Sequence, residues 1–297
     1  MSGLVNVARF LLRHPLSQGH QVENFLRFVK WQIGSRLVPG PVAVDFVNGA
    51  RLLIKPGLTG ATGNVYVGLH EFEDMAFVLH MLRPGDLFVD VGANIGSYTT
   101  LASAAVGAQS MAFEPGAAAY EWLQRNVDLN RMGSLVDLRQ QAVGAKAGTL
   151  RMTVGRDAVN HVILEPNGDE SSSCNVPVVT LDSALAGKEP SLIKIDVEGF
   201  ETAVVGGGPA TFARPTLRAV LMELNGSGQR YGFDEDALAA RMRDWGFDVL
   251  CYAPFSRSLS RSDTAGAWGN SLFVRDRPFV ESRLRDAPPF AVHGRTI

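Results

Sequence analysis

Cysteine is scarce in this sequence, since Cys174 and Cys251 are the two cysteines among 297 residues. They form neither a disulfide framework nor the spacing of a metal site, which favours a reducing, cytoplasmic compartment. Long apolar runs are also missing, because no stretch approaches the roughly 20 residues of a membrane-spanning helix. Residues 1–14 lack the basic start, long apolar centre and cleavage site of a secretory signal. We therefore expect no transmembrane segment.

An excess of charge of one sign is lacking too, because 28 Lys and Arg residues stand against 30 Asp and Glu residues. The basic residues are scattered and form no tract, so we expect no nucleic-acid partner. With 46% hydrophobic and 20% charged residues, the chain is too apolar for disorder. Its length fits one large domain, or one domain with an N-terminal extension.

The stretch Leu87–Gly96, which reads LFVDVGANIG, is the most informative part of the chain. An apolar strand leads into glycines at Gly92 and Gly96, and Ile95–Val106 has the pattern of a helix. A strand, a glycine turn and a helix N-terminus predict a nucleotide-binding corner. The spacing G-x-N-x-G departs from the G-x-G-x-x-G of dinucleotide sites. Asp90 precedes the turn and could meet the ammonium group of S-adenosylmethionine (SAM), which favours SAM over NAD.

The pattern of elements divides the chain into three parts. Residues 1–70 read as a cap, with a helix at Val22–Leu37 and two strands around the hairpin turn Asn48-Gly49. From Asp86 onwards strands alternate with helices, which predicts an α/β domain with a parallel, doubly wound sheet over residues 71–280. Residues 281–297 read as a tail. The alternation breaks after Gln140, since no strong helix is predicted between Gln140 and Asn160. Short strands or an elaborated loop are predicted at Thr149–Val154, Val159–Leu164 and Val176–Thr180.

The N-terminal residues combine apolar and basic side chains. The apolar ones are Phe10, Leu11, Phe25, Phe28 and Trp31, and they lie near Arg and Lys residues. The favoured interpretation is a helix that packs on the main domain or on a partner subunit, and the cap could thereby form a homo-oligomer. An amphipathic helix that rests on a membrane is the alternative.

Acidic residues follow four of the predicted strands: Asp90, Glu114, Asp196 and Glu223. Ligands of open α/β sheets bind beyond the carboxyl ends of the strands, so these acids could share one crevice. Glu114 stands 18 positions after Gly96, where an acid can accept hydrogen bonds from ribose hydroxyls. The alternative is a solvated acid in a turn.

Asp196 and Glu198 are two residues apart at a strand end, where their side chains would point the same way. Asp196 could be the general base for an acceptor hydroxyl, or could hold the methionine amino group or the substrate. With Glu223, the pair could instead bind Mg²⁺, which prefers carboxylate and water oxygens. Alternatively, Glu198 caps the next helix or pairs with Lys194.

Further polar residues are candidates for acceptor binding. His161, with a side chain that titrates near neutral pH, is a second candidate base, and Asn160 beside it could bind substrate. Glu223 and Asn225 could contact substrate at the same sheet edge. We also consider a pair of acids before the first sheet strand, Glu71 and Glu73, which could close over the amino-acid end of SAM, although surface charges are the more ordinary explanation.

Taken together, five motifs resemble the FkbM-type methyltransferases. They are Asp90–Gly96 (DVGANIG), Phe113–Pro115 (FEP), Gln141–Gly144 (QAVG), Val179–Asp182 (VTLD) and Ile193–Gly199 (IKIDVEG). The resemblance implies the Rossmann-like fold of class I SAM-dependent methyltransferases, with a mostly parallel seven-stranded sheet and one antiparallel strand. It also implies O-methylation of a hydroxyl in a sugar, glycan or polyketide-like molecule.

The resemblance extends to site residues. It implies that Gly92, Asn94 and Gly96 line SAM, that Glu114 holds its ribose, and that Gln141, Ala142 and Val143 lie near its adenine. The alternatives are an NAD-linked oxidoreductase, a non-catalytic subunit with a SAM-binding fold, and a nucleic-acid methyltransferase. The sequence outside residues 72–225 carries no motif that identifies the acceptor.

Overall fold

The computed structural model describes residues 2–38, 40–153, 162–163, 173–262 and 270–297. The chain begins with a cap, whose elements are α1 (Ser2–Arg13), α2 (Gln21–Leu37), β1 (Val42–Asp45), β2 (Arg51–Ile54) and α3 (Thr59–Val67). The predicted α2 and hairpin are confirmed, and β1 pairs antiparallel with β2. Asn48 and Gly49 have φ values of 49° and 83°, as the hairpin turn between the strands requires.

The inner face of α2 holds the cap together. Phe28 and Trp31 are buried, and the ring centroids of Phe28 and Tyr66 of α3 lie 5.2 Å apart. Gln32 also donates a hydrogen bond to the Tyr66 hydroxyl at 3.2 Å. Three of the residues considered for membrane contact, Phe28, Trp31 and Leu11, are therefore buried within the protein. Within the described part of the chain, no helix has both the length and the apolar character to cross a membrane.

After the cap, helices and strands alternate as predicted. In order they are α4 (Phe72–Met81), β3 (Leu87–Val91), α5 (Ser97–Thr100), β4 (Gln109–Phe113), α6 (Ala117–Leu129) and β5 (Val136–Arg139). Helix α5 continues as a π-helix over Leu101–Val106. A second, four-stranded sheet follows, from β6 (Ala142–Val143), β7 (Gly148–Thr153), β8 (Val162–Ile163) and β9 (Ser173–Val179). Its short strands lie where the sequence predicted that the alternation breaks.

Alternation then resumes to the end of the chain. The elements are α7 (Leu181–Ala184), β10 (Leu192–Ile195), α8 (Glu201–Gly206), α9 (Pro209–Ala213), β11 (Ala219–Glu223), α10 (Glu235–Asp244), β12 (Asp248–Ala253), β13 (Ser258–Arg261), β14 (Asn270–Val274) and α11 (Arg277–Arg285). A short ribbon of β15 (Ala291–Val292) and β16 (Arg295–Thr296) follows. Helix α11 runs across residue 280, and the predicted division into cap, domain and tail stays a prediction.

The main sheet has the strand order β13-β12-β14-β11-β10-β3-β4-β5. Strands β5, β4, β3, β10 and β11 are parallel, whereas β14 and β13 run against them. The α/β prediction is confirmed, but the predicted seven strands with one antiparallel strand are corrected to eight with two. The additional strand, β13, has one buried residue, Leu259, and therefore lacks the apolar run by which a sequence indicates a strand.

The central strands are covered on both faces, and alternate side chains enter different cores. Phe88 and Leu192 belong to the core beneath the cap, whereas Val89 and Ile193 belong to the core on the other face. Burial on both faces explains why these strands read as continuous apolar runs. The carboxyl ends of β3, β4, β10 and β11 consequently lie at one edge of a rigid sheet.

The ribbon β15–β16 ties the end of the chain to the cap. Val292 bridges to Val47, and the backbone N–H of Ala291 donates to Asn48 Oδ1 at 2.7 Å. Arg295 donates to Asn24 Oδ1 of α2 at 3.4 Å. The cap is thus held by residues from both ends of the described chain.

Candidate functional site

A cavity of about 340 Å³ opens at the carboxyl edge of the sheet. The loops after β3, β4 and β10 and the last residue of β11, Glu223, line one part of it, and Lys55, Leu58 and Ala61 of the cap line another. Lys55 Nζ lies 5.3 Å from the centroid of the Trp122 ring, which also lines the cavity. A cavity of this size, with apolar walls and a few converging polar groups, is typical of a small-molecule site.

The loop after β3 makes the floor of the cavity. The N–H groups of Gly92 and Ala93 both donate to the carbonyl oxygen of Phe113, at 3.0 and 2.9 Å. Gly92 has φ +84°, and a Cβ atom there would lie 1.8 Å from the carbonyl oxygen of Asp196. Glycine is therefore required because the loops after β3 and β10 almost touch.

Gly96, which the resemblance predicts to line SAM, is packed against a neighbouring helix. It has φ +86° at the start of α5, and a Cβ atom there would lie 2.5 Å from Leu123 Cδ1 on α6. The cavity is lined by Gly92, Asn94 and Ser97, but not by Gly96. The structure thus explains this glycine by helix packing.

Asp90 is a buried acid in β3, with 1% of its surface exposed. Its Oδ2 accepts a hydrogen bond from Thr99 Oγ1 at 2.7 Å, whereas Oδ1 has no hydrogen-bond partner among the described residues. Burial raises the pKa of Asp90, and the charge of Lys194 opposes the shift. Because Asp90 lines the cavity, its Oδ1 is available to an N–H or cationic group of a ligand.

Glu114, directly after β4, links two loops of the site. Its Oε2 accepts from the N–H of Asn94 at 2.9 Å, and its Oε1 accepts from the N–H of Gly116 at 2.8 Å. Burial raises the pKa of Glu114 to about 7, although both hydrogen bonds oppose the shift. A carboxylate oxygen has more than one acceptor direction, so Glu114 can still bind ligand hydroxyls. Gln141, Ala142 and Val143 line the cavity on the same side.

Three carboxylates meet across β10 and β11. Asp196, Glu198 and Glu223 each place an oxygen within 4.8 Å of the others. The reasoning from strand geometry is corrected, since β10 ends at Ile195 and the next residues form a turn. Glu198 has φ +56°, and this turn brings it towards Asp196. The three acids that the sequence grouped as a possible metal site are therefore neighbours.

Lys194 is the cation of this acidic region, and it was predicted merely as an alternative partner of Glu198. Its Nζ, almost fully buried, donates to Asp196 Oδ2 at 2.6 Å and lies 4.7 Å from the Tyr98 ring centroid. Burial acts to lower the pKa of Lys194, but the charges of Asp196, Asp90 and Glu71 hold it above its ordinary value. Lys194 is therefore a permanent positive charge.

Glu201, which the sequence analysis missed, holds the turn between β10 and α8, and the helix cap considered for Glu198 is not observed at α8. Its Oε1 accepts from the N–H groups of Val197 and Gly199, at 3.0 and 3.2 Å. These bonds fix the turn that carries Asp196. Burial raises the pKa of Glu201 to about 7, against the effect of the same hydrogen bonds.

Glu223 is a partly buried acid that keeps a proton more readily than an ordinary glutamate. Burial, and then the charges of Asp196, Glu198 and Glu201, raise its pKa to about 8. Its Oε2 is buried without a hydrogen-bond partner in the described residues. At neutral pH the neutral form of Glu223 is favoured, which reduces repulsion among the three carboxyl groups.

Other predicted residues differ in their placement. Glu71 lines the cavity and its Oε2 accepts from the Tyr98 hydroxyl at 2.7 Å, whereas Glu73 is exposed and lies outside the lining. Asn225 is exposed as well, and its Oδ1 accepts from the N–H of Ser227 at 2.9 Å within a turn. Asn160 and His161 lie outside the described residues.

The chain is similar in sequence to known methyltransferases. Residues 90–249 match the family model described as the methyltransferase FkbM domain. The 31-O-demethyl-FK506 methyltransferase FkbM of Streptomyces tacrolimicus is 29% identical, and the match covers 60% of this chain and 80% of that protein. Methyltransferase sdnD of Sordaria araneosa is 26% identical, with the same coverage of 60% and 80%.

Two solved methyltransferase structures are also similar to this chain. The methyltransferase FkbM from Methylobacillus flagellatus gives a TM-score of 0.44 at 16% identity. That match covers 71% of this chain and 52% of the other, so this chain spans about half the length of that protein. A TehB-like SAM-dependent methyltransferase from Corynebacterium glutamicum gives a TM-score of 0.42 at 9% identity, covering 73% of this chain and 95% of that chain.

Proposed function

The chain belongs to the FkbM family of methyltransferases, whose model matches more than half of it, and from this premise we propose that it methylates a hydroxyl oxygen of a small molecule. It has the class I α/β methyltransferase fold, which implies SAM as the donor. SAM supplies an electrophilic methyl group on its sulfonium. We propose a sugar, glycan or polyketide-like acceptor, and no nucleic acid.

The buried, unpaired Oδ1 of Asp90 is the observation that carries the donor assignment. A carboxylate oxygen at the cavity wall without a partner is costly unless a ligand supplies one. The ammonium group of the methionine part of SAM fits this need. We assign the ribose hydroxyls to Glu114 and the adenine to the wall of Gln141, Ala142 and Val143.

For the acceptor, we propose that Asp196 receives the hydroxyl proton. Lys194 holds its Oδ2 at 2.6 Å, so the carboxylate is oriented before the acceptor arrives. Glu223, with its pKa raised to about 8 by burial and by neighbouring acids, is a poorer base at neutral pH because it keeps its proton. Glu198 and Glu223 are then proposed substrate contacts. His161 and Asn160 stay predictions.

The oxygen specificity of this proposal has support from one relative. The protein of Streptomyces tacrolimicus is named as a methyltransferase of a 31-O-demethyl compound, so its acceptor atom is an oxygen. The carboxylates of this site suit the same chemistry. An acceptor hydroxyl must lose its proton to a base during transfer, whereas the sulfonium methyl is already electrophilic and needs no proton donor.

Mg²⁺ at Asp196, Glu198 and Glu223 is a second way to offset their repulsion, and it would orient an acceptor hydroxyl. Activity in the presence of EDTA distinguishes a protonated Glu223 from a bound Mg²⁺, because EDTA removes the metal and leaves the proton in place. We also propose action in a reducing, cytoplasmic compartment, which the two free cysteines support.

Calorimetric titration with SAM and with S-adenosylhomocysteine tests the donor assignment. We expect both to bind, and Asp90→Asn, which keeps the shape and removes the charge, to weaken binding about 10- to 100-fold. Glu73→Gln, an exposed change outside the cavity, serves as the control. No binding of either compound to the folded protein would refute the proposal. A saturable NADH fluorescence titration would favour an oxidoreductase instead.

A further inference from the structure

The face of α2 that points away from the domain is apolar. Five of its side chains are between 53% and 76% exposed: Val22, Phe25, Leu26, Ile33 and Leu37. Because an α-helix turns once in 3.6 residues, these positions fall on one side of the helix, opposite the packed residues. We call these five residues the outer face. A contiguous apolar surface on a folded protein indicates an interaction site.

The described part of the fold leaves the outer face largely uncovered. Helix α2 is already fixed through its other side, where Asn24, Phe28 and Trp31 are buried and Gln32 bonds to Tyr66. Asn24 Nδ2 donates to Ser17 Oγ at 2.7 Å, which also fixes the turn before the helix. The outer face is therefore presented by a helix whose orientation is set, and substitutions on it need not disturb the packing.

Positive charge is concentrated around the same helices. Residues 2–38 contain five basic side chains and one acid, Glu23, in a chain whose net charge is −2. Arg9, Arg13, Lys30 and Arg36 are exposed. The one acid, Glu23, is in contact with His20, whose Nδ1 lies 2.5 Å from Glu23 Oε2. The region that carries the outer face is thus basic, whereas the remainder of the protein is acidic.

We propose that the outer face of α2 binds the surface of a lipid bilayer that contains anionic headgroups. The helix lies in the plane of the interface, its apolar side chains enter the acyl boundary, and Lys30 and Arg36 at its flanks meet the headgroups. Each Lys or Arg near such a surface strengthens binding about fivefold. A second copy of the chain is the less favoured occupant, because two basic caps repel each other.

This surface lies close to the cavity. Helix α2 packs on α3 through Phe28 and Tyr66, and Ala61 of α3 lines the cavity. One helix therefore separates the bound surface from the site. Docking would hold the cavity near the membrane surface without inserting any described helix across it.

Co-sedimentation of the full chain with phosphatidylcholine vesicles, with and without phosphatidylglycerol, tests the proposal. We expect binding to the anionic vesicles and a loss of binding in high salt. The double variant Phe25→Asp/Ile33→Asp should lose at least tenfold in affinity, and Lys30→Glu/Arg36→Glu should lose binding to the anionic vesicles. Phe255→Asp is the matched control, since Phe255 is 65% exposed in the loop after β12.

Thermal melts establish that each variant is folded. Absence of sedimentation with the anionic vesicles, or equal binding by the control and the Phe25→Asp/Ile33→Asp variant, overturns the proposal. Light scattering identifies the other occupant: a dimer that Phe25→Asp dissociates, in a protein that ignores vesicles, assigns the outer face to a second copy.

Discussion

Replacing Glu223 by Gln should change how the stability of the protein depends on pH. Burial and the neighbouring acids raise the pKa of Glu223 from its ordinary 4.5 to about 8. Between these two values the folded protein keeps a proton that the unfolded chain releases. The free energy of unfolding therefore falls as pH rises through this window, and it levels off above about pH 8.

The size of the effect follows from the shift. Three and a half pKa units correspond to an upper limit of about 5 kcal/mol, and partial exposure of Glu223 to the cavity lowers the expected value to about 2–3 kcal/mol. Glu223→Gln removes this loss. Relative to the native protein, the variant should therefore gain about 2–3 kcal/mol between pH 5 and pH 9.

Urea unfolding at pH 5 and pH 9, in EDTA, measures the difference. Asp244→Asn, which removes an exposed acid at the end of α10, is the control. The reasoning fails if Glu223→Gln shows no gain between pH 5 and pH 9. Repeating the pH 9 measurement with Mg²⁺ distinguishes a protonated Glu223 from a metal site. If the three acids bind Mg²⁺, the ion would stabilise the native protein and not the variant.

Two further changes test the frame of the site. Gly92→Ala should lower the free energy of unfolding in urea by about 2–4 kcal/mol, because its Cβ would collide with the backbone of Asp196. Gly107→Ala is the control and should cost about 1 kcal/mol, because Gly107 also has a positive φ (+87°) but its nearest neighbour is 3.6 Å away. Equal costs for the two variants would contradict the close approach at Gly92. Lys194→Met should cost about 3–5 kcal/mol at neutral pH by leaving Asp90 and Asp196 without their cation. The cost should be smaller at pH 5, because burial raises the pKa of Asp90 and a protonated Asp90 needs no cation; a pH-independent cost would point to packing alone.

Much of the donor half of the site could be predicted from local sequence. The strand predicted within Leu87–Gly96 is β3, because a strand buried on both faces is an apolar run that ends at a glycine turn. Glu114 follows from the same logic, since the end of a parallel strand fixes where its next side chain lies. Asp90 also lies at the cavity, as expected.

The parts that escaped prediction depend on contacts between distant segments. Lys194 reads as an interruption of an apolar strand, and its role needs Asp196, Asp90 and Tyr98 around it in space. The signal that could have found it is a lone charge inside a buried strand. Glu201 bonds to a turn whose shape depends on Glu198 at positive φ, and Gly96 is explained by Leu123 on another helix.

The ribbon β15–β16 has a consequence for the order of folding. Its bonds to Asn24 and Asn48 join residues more than 240 positions apart, and such contacts form late because a very long loop must close first. The contacts of the ribbon with α2 and with the hairpin turn would therefore form after those of β2, whose Leu53 N–H donates to Asn126 Oδ1 of α6 at 2.6 Å over a much shorter loop. Lys55, directly after β2, could thus reach the cavity before the ribbon is in place, so the donor side of the site can form before the outer helices of the cap are fixed.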